Sequence, residues 1–333
     1  MNPTEHARIG RTSLALTRLG LGSAPLGGLF RATDEGQAIE ALERAYALGV
    51  RYFDTAPLYG YGVAEQRVGR ALQGKPRESF AVSTKVGRLL RADAPPDLTQ
   101  FHNGEPFYKG TPPVNPVFNF SYDGVLASVE ESLGRLGLGR IDLLYIHDPD
   151  AHHQEALEGA YRALDRLRRE GTVAAIGVGM NAAEPLVRFA READFDCFML
   201  AGRYTLLDQV ALHELLPLCL KRGISIVAAG VYNSGILADP RGKARFNYVP
   251  APPHLVERAL RLEAVCHRWN VPLKAAAAQF PFSHPTVSVV VLGCRTAADV
   301  EENAAMMRLA IPAGLWREMV AEGLLPAGVI PEP

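Results

Sequence analysis

Apolar positions along the chain follow two alternating periodicities. Short, nearly unbroken apolar runs occur at Thr17–Gly22, Arg51–Asp54, Phe80–Lys85, Ile141–His147, Val173–Val178, Cys197–Ala201, Ile224–Ala229 and Val287–Leu292. Runs of this length and composition read as strands buried on both faces. Interleaved with them, Asp34–Leu48, Val63–Leu72, Tyr122–Leu136, Gln154–Glu170, Glu184–Glu192, Val210–Arg222, Leu255–Asn270 and Ala297–Met307 repeat apolar residues at helical spacing. Gly49 stands where the first of these helices needs a C-cap. Eight strands, each followed by a helix, predict an α/β fold, the parallel (β/α)8 or TIM barrel. Ala7–Leu16, with Gly10 and Arg11 at its turn, predicts an N-terminal β-hairpin closing the barrel floor. No repeat, low-complexity tract or linker interrupts the pattern, so residues 1–333 read as one domain.

Two stretches exceed a bare barrel, and they are the loops after strands 3 and 7. Arg88–Ser121 carries Pro95, Pro96, Pro106, Pro112, Pro113 and Pro116, which excludes regular helix or interior sheet. Val231–Pro253 is the second. Because the loops after barrel strands form the active-site face, both should overhang one mouth. Irregularly spaced Phe101, Phe107, Tyr108, Phe118 and Phe120 in the first loop predict a lid.

Composition narrows the partners. Lys and Arg total 35 against 36 Asp and Glu, a formal net charge of −1, so no basic excess exists to neutralise nucleic-acid phosphates or anionic lipid. No apolar run reaches the ~18 residues of a membrane span, and MNPTEHARIGR has no signal-peptide core, so a cytoplasmic protein is expected. Cys197, Cys219, Cys266 and Cys294 form no Cys-x-x-Cys pair and lie in apolar segments, as reduced, buried thiols without chemistry do.

Polar residues at strand ends face the barrel mouth, and four stand out there: Asp54, Tyr59, Lys85 and His147. Lys85 and Asp54 on neighbouring strands can pair, and a lysine charge beside Tyr59 is expected to lower its phenol pKa from about 10 toward 7. Such a tyrosine exchanges a proton with a carbonyl or alcohol oxygen, while a neutral His147 donates a hydrogen bond to that oxygen. Gly177-Val178-Gly179-Met180-Asn181-Ala182 also satisfies G-x-G-x-x-A, but a dinucleotide fold would open on this motif, and here four strand–helix units precede it. His147, His152 and His153 invite a metal reading. The first strand offers no ligand in Gly22-Ser23-Ala24-Pro25-Leu26, so no metal is expected.

Asp54-Thr55-Ala56-Pro57-Leu58-Tyr59 together with Lys85 and His147, the segments Val63–Leu72 and Ser132–Leu136, and Tyr145–Asp150 resemble the aldo-keto reductases over the full chain. The finer likeness is to sugar dehydrogenases of the D-threo-aldose and L-fucose type and their pyridoxal-dehydrogenase relatives. The resemblance implies hydride transfer between NAD or NADP and an alcohol or carbonyl of a small-molecule substrate. It implies Tyr59 as general acid/base, Lys85 and Asp54 as its tuning pair, and His147 as substrate orienter. Asn181 would bind the nicotinamide carboxamide, Ser234 and Gly235 the pyrophosphate, Arg295 the phosphoribose region, and Glu302 and Asn303 the adenine. Where many relatives carry an arginine against the 2′-phosphate, this chain has Asp299, which favours NAD. The aromatic that stacks on nicotinamide in relatives is Ala229 here and the carboxamide-binding Gln is Ala201, leaving Tyr204 or Tyr232 to supply the ring. Asp148 replaces a Trp common after the catalytic His and suits a hydroxyl-rich substrate. Oxidation of an aldose to a lactone is therefore expected. Aldehyde or ketone reduction, pyridoxal oxidation and a nicotinamide-binding regulatory subunit remain as alternatives.

Overall fold

The structure is a computed structural model that describes residues 1–329. Eight parallel strands close into a barrel: β1 (Leu19–Gly22), β2 (Tyr52–Asp54), β3 (Ala81–Val86), β4 (Leu143–His147), β5 (Ala175–Met180), β6 (Cys197–Ala201), β7 (Ser225–Ala229) and β8 (Val287–Gly293). Each pairs with the next, and β8 returns to β1. The helices are α1 (Glu35–Ala47), α2 (Val63–Leu72), α3 (Tyr122–Leu136), α4 (153–169, with a π-helical turn at Ala156–Tyr161), α5 (Glu184–Glu192), α6 (Leu215–Arg222), α7 (Pro253–Arg268), α8 (Leu273–Gln279), α9 (Ala297–Arg308) and α10 (Ala313–Ala321).

The barrel interior is packed rather than hollow, with Tyr52, Leu143, Tyr145, Cys197, Met199, Val227, Val289 and Val291 filling it. Ile9 and Leu16 of the N-terminal hairpin join that cluster from below. The hairpin pairs His6–Arg8 with Ala15–Thr17, and Ser225 of β7 accepts a hydrogen bond from Gly10 N at 2.8 Å. Strand 1 accordingly starts at Leu19, not Thr17, because Ala15–Thr17 belongs to the hairpin. Thr17 Oγ1 marks the bend by donating to the Leu19 carbonyl at 2.8 Å.

A second departure lies after β7. Two helices, α7 and α8, separate β7 from β8, where the sequence predicted only Leu255–Asn270. The added helix, Leu-Lys-Ala-Ala-Ala-Ala-Gln, has strong helix propensity but no apolar stripe. It packs beside α9, whereas α7 packs against α10. The loop after β3 forms two small antiparallel ladders outside the barrel, Arg88–Arg91 with Asn115–Phe118 and Phe101–His102 with Glu105–Pro106. The loop after β7 contains a third, Arg245–Phe246 with Val249–Pro250.

Candidate active site

The C-terminal ends of all the barrel strands line one cavity of about 500 Å³. Strand register builds its chemistry as a staircase. Asp54 pairs with Ser83, so Lys85, two residues on and on the same face, rises above it. Lys85 is level with Tyr145, so His147, again two residues on, rises above Lys85. The stagger follows from the shear of a closed barrel.

Lys85 and Asp54 are both buried. Lys85 Nζ donates to Asp54 Oδ1 at 2.9 Å, to Asp54 Oδ2 at 2.8 Å and to the Thr55 carbonyl at 2.8 Å, which engages all its hydrogens. Ser83 Oγ donates to Asp54 Oδ1 at 2.7 Å, and Tyr52 and Tyr145 extend this hydroxyl chain into the barrel. Tyr59 sits in the turn after β2, with Lys85 Nζ 4.6 Å from its ring centroid. Two glycines hold that turn. A Cβ on Gly60 would lie 2.2 Å from the Gly27 carbonyl, and one on Gly27 would lie 2.6 Å from the Tyr59 backbone. The His147 ring meets Tyr59 edge-on, with centroids 5.9 Å apart. Glu65 of α2 is fully buried and ties the surrounding layers together. It accepts from Thr84 Oγ1 of β3 and Arg135 Nε of α3, each at 2.6 Å.

Burial dominates the electrostatics. It pushes the Tyr59 phenol well above its usual value, and the nearby Asp54, Tyr108, Tyr248 and Asp148 push the same way. The expected lowering toward 7 is corrected: Lys85 donates all its hydrogens to Asp54 and Thr55, and the adjacent carboxylate cancels much of its field. His147 follows the expected direction. Burial, then the charges of Arg88 and Lys85, hold its imidazole well below the usual value, in the neutral form.

Of the residues expected to bind a cofactor, Asn181, Ser234, Gly235 and Arg295 line the cavity. Ser234 lies at φ +60° in a tight turn with Gly235 at φ +108°, where a Cβ on Gly235 would meet only open space. Gly22, Gly179, Gly202, Gly230 and Gly293 also line the trough, so backbone can approach a long ligand closely. This lining fits an extended dinucleotide. Asp299, Glu302 and Asn303 do not line the cavity. Asp299 Oδ2 accepts from Arg295 N at 2.9 Å and Thr296 N at 3.0 Å, forming the capping box of α9. Glu302 pairs with Lys274. Asn303 is buried, accepting from Tyr232 Oη at 3.0 Å and donating to Cys294 Sγ at 3.2 Å. Arg295 donates to the carbonyls of Pro25 and Arg31 at 3.0 Å, to Leu29 O at 2.7 Å and to Thr33 Oγ1, and its pKa is pushed down to about 10 by burial and by Arg31. It thus bolts the loop after β1 to that after β8.

Tyr232 reaches the cavity, whereas Tyr204 packs on Phe280 in the core and bonds Ser283. The glycines of the G-x-G motif lie within β5, not in a turn. A Cβ on Gly177 would meet the Cys197 carbonyl at 2.3 Å and the Tyr145 ring at 2.9 Å. Of the expected lid aromatics, Phe107 and Tyr108 line the cavity. Phe118 and Phe120 instead stack on each other, with His152 beside both. Phe101 lies in its own short ladder. Sequence reasoning missed Phe30 and Tyr248, which meet Phe107 across three loops. Their signal is weak, for both are bulky residues at positive φ, +65° and +69°, a geometry that composition does not reveal. It also missed Arg88, a cation three residues beyond Lys85. His153 pairs with Glu192, away from His147, and no metal-ligand cluster occurs among the described residues. The cysteines are buried and free, and burial raises each thiol. No helix among the described residues is long and apolar enough to cross a membrane.

Comparison with known proteins agrees with this geometry. The chain is 45% identical over 329 residues to a D-threo-aldose 1-dehydrogenase from Pseudomonas sp, covering 98% of this chain and 99% of that one. It is 43% identical over 347 residues to a pyridoxal 4-dehydrogenase from Microbacterium luteolum, covering 98% and 99%. The holo form of an aldo-keto reductase from Bacillus halodurans superposes with a TM-score of 0.75 at 24% identity, covering 98% of both chains, a likeness of fold. Residues 18–321 match the Aldo/keto reductase family, and the chain belongs to that family of oxidoreductases.

Proposed function

We propose that this oxidoreductase oxidises an aldose at its anomeric carbon to the lactone, with NAD preferred over NADP. The observation that carries the reading is the convergence of Tyr59 and His147 above the buried Lys85–Asp54 pair, beside the Asp148 carboxylate in the same cavity. The relative named D-threo-aldose 1-dehydrogenase supports the substrate class. When bound, nicotinamide supplies the hydride acceptor.

His147, held neutral, donates a hydrogen bond to the anomeric oxygen and orients it toward Tyr59. In oxidation the ionised Tyr59 Oη accepts the hydroxyl proton as the C1–H bond breaks and C1=O forms, and in reduction its phenol returns that proton. Because burial keeps the phenol protonated, the resting form is the acid, and oxidation should accelerate as pH rises. Lys85 opposes that burial through space, and Asp54 and Thr55 fix its ammonium. Asp148 accepts from a neighbouring hydroxyl. Asn181 would hold the nicotinamide carboxamide, and Ser234 and Gly235 the pyrophosphate. Tyr232, held by Asn303 at the cavity wall, would supply the ring against the nicotinamide. Arg295 already donates to four acceptors and Asp299 stands beside it, so Arg295 is not free to bind a 2′-phosphate. Initial rates for an aldose panel with each cofactor test this. NAD should give the higher kcat/KM, and equal or better use of NADP would refute the cofactor preference.

The cavity's aromatic walls, Phe30, Phe107, Tyr108 and Tyr248, together with the likeness to the pyridoxal dehydrogenase, favour pyridoxal as a second substrate. Including pyridoxal in the same panel decides between them.

A further inference from the structure

We propose that Arg88 is a specificity-determining positioning residue, fixing the Asp148 carboxylate at the cavity wall as an acceptor for substrate hydroxyls beside the reacting carbon. The proposal rests on the assignment of Tyr59 and His147 as the reacting end. Arg88 lies two residues beyond β3 and is only 4% exposed. Its Nη1 donates to the His147 carbonyl at 3.3 Å and its Nη2 to Asp148 Oδ2 at 3.2 Å. The guanidinium carbon is 4.4 Å from the Phe118 ring centroid, and Nε is buried with no hydrogen-bond partner among the described residues. A buried cation with an unpaired N–H is a poor stabilising device, which favours a functional reason for it.

Asp148 is fixed from two sides. Its backbone adopts φ +45° with its N–H on the Gly179 carbonyl at 3.0 Å, and its side chain is held by Arg88. The oxygen that Arg88 holds, Oδ2, also lies 3.6 Å from His147 Nε2. Oδ1 accepts no hydrogen bond among the described residues, and Asp148 lines the cavity while Arg88 does not. Arg88 therefore acts through Asp148. A carboxyl acceptor among Leu58, Phe107, Tyr108 and Tyr248 selects hydroxyl donors over bare C–H surface, and the Arg88 charge opposes the burial that raises its pKa.

The charges around the pair come from several elements. Arg88 and Lys85 face it from β3 and its exit, Asp54 from β2, Tyr59 from the next turn, Tyr108 and Tyr248 from the long loops, and Asp150 from its own loop. Once Arg88 is removed, the remaining cation, Lys85, is already paired with Asp54. Asp148 then lacks a counter-charge, and His147 becomes easier to protonate.

The test compares wild type with Arg88→Met, Arg88→Lys and Asp148→Asn, using an aldose that wild type oxidises and a small aldehyde without hydroxyls. Arg88→Met should lower the aldose-to-aldehyde ratio of kcat/KM by ~10-fold or more, the size of a lost charge-assisted hydrogen bond. The loss should appear in the aldose KM. The acid limb of the pH profile should move to higher pH in Arg88→Met, and Arg88→Lys should restore part of both effects. Asp148→Asn should reproduce the change in ratio, with no further loss in the double variant. An unchanged ratio, or equal losses on both substrates, overturns the proposal. If Arg88→Met does not fold, Arg88→Lys and Asp148→Asn decide, and an unaltered aldose KM in Asp148→Asn is sufficient to overturn it. A wild type that oxidises no aldose refutes the proposed function instead, an outcome visible before any variant is made.

Discussion

Lys85 directs its hydrogens at Asp54 and Thr55, so its charge reaches Tyr59 as a field and not as a hydrogen bond. Residue types and spacing alone located the pair correctly but not the balance between that field and burial, because burial is a property of the assembled barrel. His147 carries a measurable consequence of the same burial. Its folded-state pKa is depressed, so below the ordinary imidazole value of ~6.5 the unfolded chain binds a proton that the folded chain refuses. Stability is therefore fully present above that value and declines as pH falls toward the folded pKa. Urea midpoints should drop between about pH 7 and pH 5, and His147→Gln should flatten that slope. An equally steep slope in the variant would show that His147 is not the group responsible.

At the scale of elements, the strands were legible because each is a short, mostly apolar run buried along nearly its whole length, as a strand covered on both faces must be. Element boundaries were less so. The hairpin and β1 follow one another within Ala15–Gly22, and only the bend at Thr17 and Arg18 divides them. The short helix α8 was invisible to periodicity because its alanines are apolar all round. The start of α9 shows Asp299 in structural work that its residue type alone did not reveal: it forms the capping box of the helix with Thr296. Thr296→Ala should lower stability by ~1 kcal/mol in chemical denaturation, with the NAD-to-NADP ratio unaltered. A shift in cofactor ratio without a loss of stability would show that this turn acts chiefly on the cofactor.

The whole molecule divides its labour between a barrel that fixes chemistry and loops that choose the substrate. Asp54, Lys85 and His147 are strand-end residues, so a correct strand order was enough to bring them together. The roof was not legible in the same way, since Phe30, Phe107 and Tyr248 come from three loops whose contacts only tertiary packing decides. Arg88 was hidden for a related reason, its partners being near one another only after β3 and β4 pair. The central claim is that Tyr59, held above the Lys85–Asp54 pair, transfers the proton when an aldose is oxidised. The most direct measurement is the steady-state rate of reduced nicotinamide formation from an aldose by wild type and by Tyr59→Phe, with cofactor affinity measured in parallel. The account predicts a fall of ~10²-fold or more with cofactor affinity nearly intact. Near-normal turnover by Tyr59→Phe would contradict it.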